Sequence, residues 1–296
     1  MAEIKYKVSE LSDYPLDPAD PVYKSGRFLI EASAGTGKTF TIAHLVRRLV
    51  EERNIPMSRL LVTTFSNAAA AELKERIVLV LNGALDVARN DGDITRQLRF
   101  RMAISTVDNA LITTIHGFCF KMLKSFALET RTEPGIALAS DDTAYKDVLL
   151  HDYLRRNYYA AGSPLTLKEE DIKGILRYTA AGGQEIRPGD KGELCQILQF
   201  VQDGLRAEKR RQNVITYDDM ILLFSEALRH NPDLAKMVRA RFSAVFVDEF
   251  QDTSFDQFSI FDNCFPQEDR SVLFYMIGDP KQSIYRFRGR MSTLIC

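Results

Sequence analysis

FLIEASAGTGKTFTIAHLVRRLV, running from Phe28 to Val50, decides how the rest of the chain is read. It opens on a short apolar strand, passes through a turn of small residues ending in Gly37-Lys38-Thr39, and continues as a helix that is apolar on one side. That order of elements suits a bound phosphate. Small residues let successive backbone N–H groups converge, the helix N-terminus adds positive potential, and Lys38 supplies a mobile point charge. The expected cradle is Ala32, Ser33, Ala34, Gly35, Thr36, Gly37, Lys38 and Thr39, with the Thr39 hydroxyl placed for Mg²⁺. The spacing is that of a P-loop, with Ala32 at the first small position in place of Gly.

Outward from this stretch, strand, loop and helix recur. Arg59 to Thr63 reads as a second strand and NAAAAELKERIVLVLNGAL as the helix after it. Residues 84–108 read as a solvated turn around Asn90-Asp91-Gly92-Asp93 and a charged segment, and NALITTIHGFCFKMLKSF as a third strand and helix. Phe242 to Val247 and Leu273 to Ile277 complete the strands. The pattern predicts an α/β fold with a parallel sheet covered on both faces. Between about Thr130 and Asn213 strand signals vanish, and helix formers broken by Gly and Pro predict a helical insertion. Residues 1–26, broken by Pro15, Pro18 and Pro21, read as a polar lead-in with some local structure.

Composition sets the outer limits. The 296 residues carry 27% charged and 45% hydrophobic side chains, as in ordinary globular proteins, and a formal net charge of −1. No global positive field announces nucleic acid, although a local groove can be basic while the rest balances it. Cys119, Cys195, Cys264 and Cys296 form no CxxC pair, which argues against a metal or disulfide scaffold and for a reducing compartment. With no signal-peptide pattern and no long apolar run, the expected location is the cytoplasm, without membrane contact.

VFVDEF supplies a second set of polar groups where ligands collect in open parallel sheets. Asp248 is suited to hold Mg²⁺ opposite Thr39, and Glu249 to orient or deprotonate an attacking water. Two adjacent carboxylates are costly to assemble without a cation. Gln251 is close enough in sequence to report on a γ-phosphate or to lie at the base of a nucleic-acid groove. In GDPKQSIYRFRG, Gln282 can sense a γ-phosphate, while Tyr285, Arg286, Phe287 and Arg288 alternate aromatic faces with fixed cations. Such alternation suits single-stranded nucleic acid, whose bases stack while its phosphates pair with guanidinium groups. Thr64, Phe65 and Ser66 after the second strand, and Thr113, Thr114 and His116 after the third, stand at equivalent ends of the sheet. A histidine alone would serve equally as a structural group, so His116 takes its value from its neighbours. Lys209-Arg210-Arg211 reads more as a solvated face than as a DNA contact.

Six phrases in order, IEASAGTGKTFTI, TTFSNAAAAELKERI, ITTIHGFCFKML, ITYDDM, VFVDEFQDT and IGDPKQSIYRFRG, resemble superfamily 1 DNA helicases of the UvrD and RecB type over nearly the whole chain. The resemblance implies a P-loop NTPase, recA-like domain 1A (1–129 and 214–296) interrupted by a mostly helical domain 1B (130–213). It implies ATP and Mg²⁺ as cofactors, held through Lys38, Thr39, Asp248 and Glu249, with Gln282 at the γ-phosphate and Arg288 and Tyr285 coupling hydrolysis to DNA. Thr64, Phe65, Thr114, His116, Gln251, Tyr285 and Phe287 become the DNA-facing set, with Phe287 where UvrD relatives often carry Trp. Tyr217, Asp218 and Asp219 match the return from 1B to 1A.

Implied too are 3′-to-5′ travel on single-stranded DNA or from a duplex end, a role in recombinational double-strand-break repair, and partner subunits of a RecBCD-like complex. Family members continue into a second recA-like domain, 2A, bearing arginine fingers, whereas this sequence ends at GRMSTLIC. The expectation is therefore ATP binding with little hydrolysis by these 296 residues alone, and no nuclease activity. Two rival readings follow from the same residues. A catalytically idle DNA-binding or assembly module would bind DNA without regard to nucleotide, and an ordinary P-loop switch or kinase would leave TIHGFCF and DPKQSIYRFRG unexplained.

Overall fold

Five strands of apolar, largely β-branched or aromatic residues are buried on both sides or nearly so, which is the condition of strands inside a helix-covered parallel sheet. The computed structural model describes residues 4–7, 26–31, 37–139, 141–159, 168, 170, 172–174 and 192–279. Contacts divide the chain into two compact units, residues 1–122 with 224–296 and residues 123–223.

In chain order the first unit holds β1 (Ile4–Lys7), β2 (Gly26–Glu31), α1 (Lys38–Arg53), β3 (Leu60–Thr64), α2 (Asn67–Asn90), α3 (Ile94–Ser105), β4 (Leu111–Thr114) and most of α4 (Ile115–Ser125). Within 123–223 lie α5 (Ala127–Thr130), β5 (Ala137–Leu138), α6 (Thr143–Leu154), α7 (Glu193–Gln212), β6 (Val214–Ile215) and the start of α8 (Tyr217–His230). The first unit then resumes with α9 (Pro232–Arg239), β7 (Ala244–Val247), α10 (Phe255–Cys264) and β8 (Leu273–Gly278). The six strands β1-β2-β8-β7-β3-β4 lie side by side, every pair parallel.

Alternation along the strands sends successive side chains to opposite faces. Phe28, Ile30, Leu60, Val62, Phe246, Tyr275 and Ile277 join one core with Ile42, Val46 and Leu49 of α1 and Leu73, Ile77 and Leu81 of α2. On the other face Phe274 stacks with Phe265 and lies against Phe261, which stacks with Phe118 at 5.7 Å between centroids. Helices therefore cover both faces, as the sequence predicts. Register aligns the carboxyl ends: Glu31 pairs with Gly278, Val247 with Met276, and Thr64 with Thr114.

Three elements depart from the sequence reading. β1 lies in the polar lead-in and pairs Ile4 to Lys7 with Phe28 to Glu31. Residues 94–105, read as a charged segment, form α3, started by Asp93, whose side chain accepts from the Arg96 N–H. Its apolar residues mislead because Ile94, Leu98 and Met102, at i, i+4 and i+8, are 60–70% exposed while Phe100 and Ala103 face inward. Strand β5, two residues long, lies within the stretch read as strand-free and pairs in parallel with β6, which follows directly after that stretch.

The second unit has its own core of Leu150, Tyr153 and Leu154 from α6 with Ile197, Leu198 and Val201 from α7, and Ile172. No helix among the described residues is long and apolar enough to cross a membrane.

Candidate functional site

The site begins where β2 stops and α1 starts. Glu31 ends the strand and Gly37 caps the helix with φ 83°, a left-handed conformation that side chains other than glycine's oppose. The Gly37 carbonyl accepts from both the Thr41 N–H (2.8 Å) and the Thr41 hydroxyl (3.1 Å), so the first turn is closed from within. Lys38 and Thr39 occupy that turn, which holds no acidic residue to cancel the positive end of the helix. Ala32, Ser33, Ala34, Gly35 and Thr36 lie outside the described residues, as do Gln282, Tyr285, Phe287 and Arg288.

Across the sheet, β7 is wholly buried and delivers Asp248 and Glu249 at its carboxyl end. Asp248 continues the ladder for one more bond, its N–H reaching the Thr63 carbonyl at 2.9 Å. Glu249 then takes a left-handed conformation, φ 50°, ψ 42°, which costs a residue with a Cβ on the order of 1–2 kcal/mol. That turn reverses the chain so that the Glu249 N–H donates to Asp248 Oδ1 (2.9 Å), while the Glu249 carboxylate meets Lys38, Nζ to Oε2 2.6 Å. Residues 211 positions apart are thereby joined at the carboxyl edge of the sheet.

Burial, and after it the neighbouring Glu249 carboxylate, push Asp248 up to about 6; the Glu249 N–H and the Lys38 ammonium only partly offset this. A buried carboxyl under such strain is a fitting ligand for a divalent cation, which would reverse the penalty. Among the described residues no three His, Cys, Asp or Glu side chains are gathered. Mg²⁺ held by one carboxylate, a hydroxyl, waters and substrate phosphates needs no such group.

Gln251, read from the sequence as near a γ-phosphate or at the base of a nucleic-acid groove, is turned inward. The residue is 8% exposed. Its Nε2 donates to Glu249 Oε2 (2.5 Å), and its Oε1 accepts from the Asp279 N–H (3.0 Å) at the end of β8. A Cβ at Gly278 would fall 2.3 Å from Gln251 Oε1 and would push the amide aside. Sequence reasoning gave Gly278 no role; its position directly before Asp279-Pro280 was the available signal.

At the end of β3 the hydroxyls are buried, and at the end of β4 they are half-buried. Thr64 is 2% exposed and donates to the Ser66 carbonyl (2.9 Å), while Ser66 caps α2 by accepting from the Ala69 N–H. Thr114 Oγ1 accepts from the Gly117 N–H (3.1 Å), and a Cβ at Gly117 would lie 2.2 Å from Thr113 Oγ1. Phe65, by contrast, is 64% exposed, and His116 is half-buried. The surface presented at this edge is thus aromatic and imidazole, with threonine hydroxyls shaping it from below.

In the second unit, Asp219 accepts from the Thr216 N–H and hydroxyl (both 2.8 Å) and from Lys209 Nζ (2.7 Å), which starts α8. Tyr217 is exposed and Asp218 follows it in the first turn. Lys209 departs from the solvated-face reading: it sits between Asp219 and Asp142, with Lys146 also on Asp142. Arg211 keeps to that reading, paired with Glu208 at the surface.

Comparison with known proteins decides the family. The sequence pattern of the UvrD/REP helicase N-terminal domain matches residues 18–295. The chain belongs to this family. A RecBCD enzyme subunit RecB from Mycolicibacterium smegmatis is 33% identical over 283 residues, covering 88% of this chain and 26% of the relative. A second, from Mycobacterium tuberculosis, is 30% identical over 286 residues with the same coverage. The ATP-dependent DNA helicase PcrA of Leuconostoc citreum is 27% identical over 270 residues, 89% of this chain and 32% of that protein. The chain spans about a quarter of the RecB relatives it matches. As a UvrD/REP-family chain, its helix-flanked parallel sheet and helical unit carry the P-loop NTPase architecture of helicase domains 1A and 1B.

Proposed function

We propose that this chain is the ATP-binding part of a 3′-to-5′ DNA helicase or translocase that moves on single-stranded DNA during recombinational double-strand-break repair in the cytoplasm. The observation that carries the reading is the meeting of Lys38 and Glu249 beside the strained Asp248, at the edge where a parallel sheet presents its ligands.

In this reading the 32–39 turn holds the ATP phosphates, with Lys38 moving from Glu249 to the β- and γ-phosphates. Thr39 and Asp248 would hold Mg²⁺, which would supply positive charge against the charge developing on the phosphates. Glu249 takes a proton from water as the water oxygen bonds to the γ-phosphorus. The bond from that phosphorus to the β–γ bridging oxygen breaks, and ADP and phosphate leave. Gln282 reports on the γ-phosphate, and Arg288 and Tyr285 pass its state to DNA. Phe65 and His116 meet bases and backbone above the Thr64 and Thr114 hydroxyls, and Phe287 stacks on a base. Residues 1–129 and 214–296 are assigned to domain 1A and 130–213 to domain 1B, with partners of the RecBCD type and a single strand or duplex end as substrate.

The test is nucleotide binding and ATP turnover with and without oligo(dT), beside K38A and E249Q. Binding lost in K38A, retained in E249Q and linked to DNA affinity supports the reading. DNA binding indifferent to ATP and to K38A would instead indicate a catalytically idle DNA-binding module.

A further inference from the structure

We infer that Gln251 is a positioning residue: its amide fastens the Glu249 carboxylate to the backbone of Asp279, so that the state of the nucleotide carboxylate is transmitted to the segment leaving β8. The inference rests on the reading of Asp248 and Glu249 as nucleotide-site carboxylates.

A primary amide is uncharged and carries a donor at one end and an acceptor at the other, and here both ends are used across two strands. The donor meets Glu249 Oε2 at 2.5 Å and, more weakly, Asp252 Oδ2 at 3.4 Å, and the acceptor receives the Asp279 N–H at 3.0 Å. Oε2 is also the oxygen that Lys38 Nζ holds at 2.6 Å. One carboxylate oxygen thus has two donors, one cationic and one neutral. When the ammonium is drawn toward a phosphate, the amide is left as the neutral donor on that oxygen, and Glu249 is free to shift with it. Packing leaves the amide little room to absorb that shift. Gly278 lies so close that even a methyl group would displace Oε1, and the residue is buried, where a broken hydrogen bond is not replaced by water. Movement at Glu249 is therefore expected to break or re-aim the bond to Asp279. The chain beyond Asp279 carries Gln282, Tyr285, Phe287 and Arg288.

The experiment is hydrogen–deuterium exchange on the 296-residue chain, read on peptides containing Asp279, Lys281 and Gln282, with and without Mg²⁺ and the non-hydrolysable analogue AMP-PNP. Q251L removes the bonds to Glu249, Asp252 and Asp279 while keeping bulk; G278A keeps the amide but pushes it aside, and serves if Q251L does not fold. In the unmodified chain the analogue changes exchange in these peptides severalfold. In either variant, exchange without nucleotide rises about tenfold there and the response to the analogue disappears, while AMP-PNP affinity stays within about threefold. A purely structural role would lower stability and raise exchange throughout β8 yet leave the nucleotide response in place. Variants that respond as the unmodified chain does overturn the inference, as does an unmodified chain that binds AMP-PNP without any change at 279–282. Failure of the unmodified chain to bind AMP-PNP overturns the underlying nucleotide reading instead, and is seen separately in the affinity measurement.

Discussion

Lys38 Nζ lies 2.6 Å from Glu249 Oε2, so the helix after β2 and the turn after β7 are held together by an ammonium that a phosphate would compete for. Both side chains are partly shielded from water, which strengthens the pair relative to one on the open surface. The arrangement keeps a cation and a carboxylate in register before substrate arrives.

Replacing the cation tests both partners. K38A is expected to weaken Mg·ATP binding at least about tenfold by isothermal titration calorimetry. E249Q keeps a hydrogen-bonding group at the same place and is expected to retain binding while any turnover falls by roughly 10²- to 10⁴-fold.

Asp248 makes the stability of the fold sensitive to pH. Its carboxyl is raised to about 6, so between roughly pH 4 and 6 the native state binds more protons than the unfolded chain. Stability then falls as pH rises through that window, by on the order of 2–3 kcal/mol, and is flat above it. D248N removes this slope and raises the melting temperature of the nucleotide-free protein near pH 8 by several degrees, at the expense of Mg²⁺-dependent nucleotide binding. Thermal melts from pH 4 to 8 without metal provide the check.

Gly117 is expected to matter for the strand-facing edge. G117A places a methyl group against Thr113 Oγ1 at the junction of β4 and α4, a short side chain with little freedom to retreat. It should cost about 1–3 kcal/mol of stability and, by moving the turn that carries His116, weaken oligo(dT) binding about tenfold in fluorescence anisotropy.

The helical unit contains an ion cluster whose members are unequal. Burial lowers Lys209, but its bonds to Asp142 and Asp219 outweigh this and leave its ammonium held above the usual lysine range. Burial likewise raises Asp142, and the bonds from Lys146 and Lys209 outweigh it, leaving that carboxyl below its usual value. The Asp142 contribution is thus complete above the unfolded carboxylate range and is lost as pH falls through the folded value. K209A leaves Asp142 to Lys146 and Asp219 to Thr216 and should destabilise by about 1–3 kcal/mol, whereas R211A, from a surface pair, should stay within about 0.5 kcal/mol. Urea denaturation of the two variants separates them.

Much of the sheet was legible because β3, β7 and β8 are short apolar runs bounded by turns, and because Gly37-Lys38-Thr39 marks the start of α1 unambiguously. What escaped did so for physical reasons. β1 is four residues beside a Pro-broken stretch, too short to show a period. α3 turns Ile94, Leu98 and Met102 outward, so its apolar pattern describes a surface rather than a core. At the site, residue types at Lys38, Asp248 and Glu249 announced their meeting, whereas the inward turn of Thr64 and the two-ended bonding of Gln251 depend on neighbours remote in sequence. Lys209 was misjudged because a basic run does not reveal which of its members folds back on acids elsewhere.

The parallel pairing of β5 with β6 has a consequence for how this chain tolerates change. Ala137 N–H bonds to the Asn213 carbonyl and Ala139 N–H to that of Ile215, so the polypeptide departs and returns through adjoining doorways. What lies between is a cassette whose ends are already stitched. A flexible insert added within such a closed span costs only roughly 0.6 kcal/mol of closure entropy for each doubling of its length, so inserts that leave the α6–α7 core intact can be traded there while the stitch stays the same.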